Sequence, residues 1–527
     1  ANKEKGIEIR TGGNPMVRRN RISESEVGVD VSDNGEGEIE ENEIYKHRSA
    51  GVDVRTGANP KLKHNRIFGS QKLFNGKGNG VYVHEHGQGE FSFNEIFKNT
   101  MAGVHVESGA QPKFTKNHIH DGCEVGIYVH NHGGGLFEGN DITNNVGAGV
   151  EVETAAWPTF TNNQIHHGKD KGVFVHDCGE GTFDDNVIEA NTLEGVLITS
   201  QGAPVMKNNQ IMRGKETGVT VSDSGGGTLE LNFIFENTLA GVLVQNEGNP
   251  TFRKNSIHTG KDVGVMVVNR GTGMFEANDI KENFGPNVQV ENHGDPMFLK
   301  NHIKNGKTQG ILVCESGGGR FEDNEIELNW GAGVQVKTNG NPKFVKNEIH
   351  SGREDGIHVC DNGKGLFDNN DICFNTEAGI KVETYGAPNF VKNQIHHGEE
   401  NGVHVLNNGA GVFTENTVFL NTYPGINVET GGNPKFERNV INDGTESGIF
   451  VHNYGQGLFV ENEVFHNRMA GIEVKTNAIP VFQKNIVHDG KDVGIFVHDN
   501  GEGYFTENDI FGNNMSGVEI KSGGNPS

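Results

Sequence analysis

An asparagine recurs every 23 residues along this chain. Asn117, Asn140, Asn163, Asn186 and Asn209 belong to a series that runs unbroken to Asn508. Asn20, Asn42, Asn65 and Asn94 extend it, displaced by one residue lost after Ile22 and six gained near 69–79. Proline keeps a second beat: Pro112, Pro158, Pro204 and their successors to Pro526 stand 46 apart, with only Pro286 and Pro424 off the lattice. A unit of 23 residues cannot enclose a core by itself, so each unit must bury its apolar face against its neighbours.

Two versions of the unit alternate. One reads G-V-x-V-E-[ST]-G-x-x-P-x-F-x-K-N-x-I-H-x-G and the other G-[VI]-x-V-x-[DN]-x-G-x-G-x-F-x-x-N-[DE]-I-x-x-N. V-x-V has the period of a strand, F-x-x-N-x-I follows, and Gly, Pro or Asn clusters separate the pieces. No segment carries the pattern of an amphipathic helix. Three short strands and three bends per unit describe one turn of a coiled ribbon. The expected fold is all-β: a right-handed parallel β-helix solenoid of about 22 turns with 23 residues per turn and a 46-residue double repeat. At strand spacing this gives a rod on the order of 100 Å long. The expectation is a single repeat domain over 1–527 with a loop insertion at 69–79.

The columns have physical reasons. Gly103, Gly126, Gly149 and their equivalents open the first strand of each turn, and only Asn287 departs from them, so a left-handed backbone is expected there. Phe137, Phe160 and Phe183 belong to a column that is Phe in 17 of 22 turns, a stacked apolar spine. The ladder Asn is expected to bond the turns above and below through its amide. Before it, Lys116, Lys254 and Lys300 alternate with Glu41, Asp185 and Asp323, so like charges never stack directly. Asp33, Glu85, Asn131 and Asp177 precede G-x-G and are expected to cap tight turns.

Composition narrows the function classes. The net charge of −25 and the absence of a basic face exclude nucleic acid as a partner. No apolar run approaches the roughly 18 residues of a membrane span, so no membrane insertion is expected. Five cysteines form no CxxC pair and suggest no disulfide framework. The compartment is left open between extracellular and cytoplasmic.

Units such as "GVHVESGAQPKFTKNHIHDG" and "NPTFRKNSIHTGKDVGVMV" resemble the right-handed parallel β-helix repeats of carbohydrate-binding and sugar-hydrolase type. They are most similar to those of F-box proteins, the substrate receptors of ubiquitin ligases. The resemblance covers essentially the whole chain. It implies the β-helix fold, and as possible roles protein or glycan recognition or action on polysaccharides. No F-box segment is visible in the sequence.

A catalytic constellation would have to break the metre. The one sizeable break, "IFGSQKLFNGKGNGV" at 67–81, holds Lys72 and Lys77 but no carboxylate pair or nucleophile–base set, so no catalytic residue is assigned. His84, Glu107, His130, Glu153 and His176 form an alternating imidazole–carboxylate column, the best available binding candidates together with the aromatic Trp157. Histidines in that column are two turns apart, roughly 9.6 Å, too far to share one ion. No metal and no cofactor is therefore assigned. A second column, His120, His166, His258, His350, His396 and His488, repeats because the unit repeats. Tyr45, Phe97, Phe235, Phe419, Phe465 and Phe511 are expected to pack on the shell.

The chain opens and closes inside turns, which points to a longer parent chain or to end-to-end stacking into a filament. The expected function is a non-catalytic β-helix scaffold for assembly or for protein or glycan binding. The alternatives are a substrate-recognition domain of an F-box-type ubiquitin ligase, or a polysaccharide lyase, hydrolase or epimerase.

Overall fold

The computed structural model describes residues 4–71 and 78–527. The middle of the 69–79 insertion, including Lys72 and Lys77, lies outside the described residues. Among the described residues every regular element is a β-strand, and the architecture is a parallel β-solenoid of about 22 turns. The chain packs as two compact units, Ala1–Lys261 and Asp262–Ser527.

Within each unit a turn contributes one strand to each of three parallel sheets. Val104–Val106, Lys113–Thr115 and His118–His120 make one turn, and Ile127–Val129, Leu136–Glu138 and Asp141–Thr143 make the next. Val104 pairs with Ile127, Phe114 with Phe137 and Ile119 with Ile142. The sequence metre is thus the strand register. A slip of one residue would turn every buried side chain outward, so the pattern strongly specifies this pairing.

Most first-sheet strands bury both ends and turn the middle residue outward, although the outward-facing Asp53, Tyr82 and His105 are themselves buried, whereas most second- and third-sheet strands bury the middle residue. Val104, Val106, Phe114 and Ile119 are fully buried in this way. The Phe column stacks ring on ring: Phe137 and Phe160 centroids are 4.6 Å apart, and Phe160 and Phe183 5.0 Å. In the second unit Phe275 and Phe298 stand 4.5 Å apart. Such offset stacks add to the area each ring removes from water.

The Asn column forms the expected ladder. Asn117 Nδ2 donates to Asn140 Oδ1 at 3.0 Å and to the Phe91 carbonyl at 2.9 Å, while Asn117 N donates to the same Oδ1 at 2.9 Å. Asn163, Asn186 and Asn209 repeat the set. From Asn42 to Asn485 the ladder asparagines are buried, and their hydrogen bonds make the column a net gain and not a desolvation cost.

A second asparagine column exists that the sequence pattern contains but does not explain. Asn145, Asn191 and Asn237 recur on alternate turns, each accepting from a glycine N–H one turn below and donating to an isoleucine carbonyl. His47 takes the place of Asn in this column. Its Nε2 stands 3.0 Å from the Ile22 carbonyl, and burial lowers its pKa. Asn287, the one departure from the opening glycines, inserts its amide between Asn283 and Asn329, at 2.9 and 3.1 Å, so that the column gains a rung on a turn where it otherwise lapses.

The opening glycines correct an expectation. Gly103, Gly126 and Gly149 do not have positive φ; they are required by close approach. A Cβ on Gly126 would lie 2.5 Å from the Gly149 carbonyl oxygen and 2.8 Å from an Ile142 methyl. The left-handed positions are elsewhere, and L-residues fill them. Lys116 (φ 53°), Asn162 (54°) and Asp185 (54°), immediately before the ladder Asn, sit in that region. So do Asn131 and His132, at 47° and 63°, and the Asp33, Glu85 and Asp177 equivalents, whose role is to tolerate this backbone at the corner. Where the alternating charges do meet they form exposed, solvent-screened pairs, such as Lys392–Glu415 at 3.8 Å and Arg438–Glu415 at 3.4 Å, which contribute little to stability.

Candidate binding face of the first sheet

Strand alternation builds this face. In a first-sheet strand the middle residue and the residue two further on point outward together. In the first unit this makes two adjacent columns. The middle column is Asp53, Tyr82, His105, Tyr128, Glu151 and Phe174; the outer column is Arg55, His84, Glu107, His130, Glu153 and His176. Side chains of the two columns meet diagonally, because they lean along the strand direction and pass between turns.

Of the five residues expected to form a ladder, Glu107, His130, Glu153 and His176 meet directly along the outer column, and His84 is joined to them through Tyr82 of the middle column. His84 Nε2 lies 3.2 Å from Asp53 Oδ1. His130 Nε2 lies 3.1 Å from Glu107 Oε2 and 2.7 Å from His105 Nε2. His176 Nε2 lies 3.2 Å from Glu151 Oε1 and 3.5 Å from Glu153 Oε2. The phenols of Tyr82 and Tyr128 donate to Glu107 and Glu153. Burial and these carboxylate bonds hold both phenols well above the usual tyrosine range, so they remain donors. Tyr82 stacks on His84 with centroids 4.1 Å apart, Tyr128 on His130 at 4.4 Å and Phe174 on His176 at 4.0 Å. Burial alone would lower the His176 pKa. The bonds to Glu151 and Asp177 outweigh it and leave the ring above the ordinary imidazole range.

A cavity of about 210 Å³ opens beside the cluster, lined by Asn79, Met101, His105, Glu124, Tyr128 and Glu151 among others. The strand Asn79–Val83 that supplies Tyr82 follows the break in the metre directly. Asp53, Tyr82, His105, Tyr128 and Glu151 escape a search by column, because each stands in a different column from the ladder it completes. The signal that finds them is the x of V-x-V, which shares a face with the residue two positions on.

The other candidates lie apart. Trp157 is 56 % exposed at the corner before Pro158 and makes none of the cluster's contacts. Trp330, in the second unit, is held between Lys307 Nζ and Arg353 Cζ, each 4.4 Å from a ring centroid. Third-sheet histidines pair with acids one turn away, as His166 does with Asp141 and His396 with Asp371, both at 2.8 Å. Phe97 stacks on His120 at 5.1 Å and Phe465 on His488 at 5.2 Å, so these aromatics pack along the shell. All five cysteines are free thiols. The second unit has its own set on the first sheet: His358 Nε2 lies 3.0 Å from Glu383 Oε1, beside Lys381 and the buried Asp355.

Three parallel sheets with one strand from each turn, and outward columns on the first sheet, define the family that the sequence matches. The family described as "Right handed beta helix region" matches residues 1–73, 70–211, 194–345, 332–467 and 386–527. The chain belongs to the right-handed β-helix family. Several solved structures are similar to it at low identity. A TibA fragment hyper-glycosylated by TibC is 15 % identical over 64 % of this chain and 99 % of its own, with a TM-score of 0.37. The periplasmic alginate epimerase AlgG is 11 % identical over 62 % of this chain and 73 % of its own, with a TM-score of 0.31. The A-module of the Azotobacter vinelandii mannuronan C-5 epimerase AlgE4 is 13 % identical over 85 % and 90 %, with a TM-score of 0.19. At these identities the likeness is one of fold alone. No curated protein matches the sequence. Among the described residues no helix is long and apolar enough to cross a membrane.

Proposed function

We propose that this right-handed β-helix is a non-catalytic scaffold that binds a glycan on the first-sheet face of its first unit. The observation that carries the proposal is the row His105, Tyr128 and Glu151, which lines the 210 Å³ cavity. Aromatic faces, carboxylate acceptors and imidazole groups alternate there from turn to turn. The rise of about 4.8 Å per turn is close to the length one pyranose unit adds to an extended polysaccharide. Successive sugars would therefore stay in step with successive turns and meet a different aromatic, imidazole or carboxylate group on each. The Tyr–Glu and His–Glu pairs hold the polar groups in place before a ligand arrives, which lowers the ordering cost of binding.

The test is a glycan array followed by titration calorimetry on the best ligand, with chromatography of the mixture for released products. One oligosaccharide class should be retained, with affinity at least tenfold weaker for Tyr128→Ala, and it should remain intact. Retention of no glycan would overturn the binding role and return the protein-receptor and self-assembly alternatives. Cleaved or epimerised product would overturn the non-catalytic role.

A further inference from the structure

We propose that His105, Glu107 and His130 bind one transition-metal cation of the zinc class. The proposal does not depend on a glycan occupying the face. The objection from sequence, that histidines of the outer column are two turns apart, does not apply to this trio. His105 belongs to the middle column and fills the intervening turn.

The three donor atoms lie within 4.8 Å of one another. His105 Nε2 and His130 Nε2 converge to 2.7 Å, and His130 Nε2 is 3.1 Å from Glu107 Oε2. Around a tetrahedral ion with bonds of about 2.0–2.1 Å, donor atoms stand about 3.3 Å apart. Small rotations of the two rings open that space. Two imidazoles and one carboxylate suit zinc or its neighbours and not calcium or magnesium, which take oxygen ligands. The fourth position would open toward the cavity that His105 lines with Tyr128 and Glu151, leaving room for water or a ligand hydroxyl.

Each donor residue has an outer partner on its other polar atom. The Tyr82 phenol donates to Glu107 Oε1, and His130 Nδ1 faces Glu153 Oε1 at 3.9 Å. Asn79 Nδ2 stands 3.1 Å from His105 Nδ1, while the buried Asn79 Oδ1 has no hydrogen-bond partner. Rotating that amide by half a turn presents Oδ1 to a protonated Nδ1. This tautomer leaves the His105 Nε2 lone pair for the metal, the usual support of a metal-bound histidine. No other first-sheet turn carries His, Glu and His at these three positions.

Equilibrium dialysis of chelator-stripped full chain against Zn²⁺ alone, with the visible spectrum of the Co²⁺-loaded protein, tests the site. One saturable ion per chain is expected. Affinity should fall at least tenfold in His105→Asn, Glu107→Gln and His130→Asn, with the circular dichroism of the parent retained. Tyr82→Phe, which keeps all three donors, should weaken binding about tenfold, and His358→Asn in the second unit should leave it unchanged. Should one of the ligand variants fail to fold, the Tyr82→Phe result and the imidazole signature of bound Co²⁺ still decide. Absence of saturable binding, or affinity unaltered by His105→Asn and Tyr82→Phe, overturns the proposal.

Discussion

His105 Nε2 and His130 Nε2 stand 2.7 Å apart although the residues lie 25 positions apart in the chain. The separation is one turn plus two residues, so the contact runs diagonally between adjacent columns. The same offset joins Glu151 to His176 and, in the second unit, His358 to Glu383. Vertical stacking holds the solenoid together, whereas diagonal contact concentrates unlike groups on its face.

The ladder should dominate local stability. Asn163 Oδ1 accepts from Asn140 N and Nδ2, each at 2.9 Å, and Asn163 Nδ2 donates to the Phe137 carbonyl at 2.9 Å. Asn163→Ala leaves these buried groups without partners and is expected to cost about 3 kcal/mol in urea unfolding. The exposed Gln164→Ala should stay within about 0.5 kcal/mol. Equal effects from the two would remove the ladder from the account.

The two kinds of glycine should respond in opposite ways. Gly126→Ala drives a Cβ to 2.5 Å from the Gly149 carbonyl oxygen and should cost about 2–3 kcal/mol. Gly139 has a φ of 61° in the column that elsewhere holds Lys116, Asn162 and Asp185, and its Cβ would meet only the Lys116 side chain at 3.5 Å. Gly139→Asn should be neutral within about 0.5 kcal/mol. Thermal melts of the two variants separate a steric requirement from a conformational one.

Asp355 should make stability fall as pH rises. Burial pushes its carboxyl up to about 7, against the pull of Lys381, whose Nζ is 4.0 Å away. The folded chain thus holds this proton more tightly than the unfolded one. The contribution is full below the ordinary aspartate range near pH 4 and is lost as pH rises through about 7. Asp355→Asn, neutral throughout, should gain on the parent between those limits in denaturant titrations. A difference that does not change with pH would show that Asp355 ionises normally.

The 23-residue recurrence of Asn117, Asn140 and Asn163 was enough to set turn length, strand register and the contents of the core. Residues one period apart must stack once the chain coils, and stacking needs no further information. Close approach at Gly126, the second amide column through Asn145 and the union of Tyr82, His105 and Tyr128 with the Glu107–His130 ladder were decided only in three dimensions. Those relationships depend on how near the turns lie and on which way side chains lean between columns. Strand geometry sets both, and a one-dimensional period carries neither.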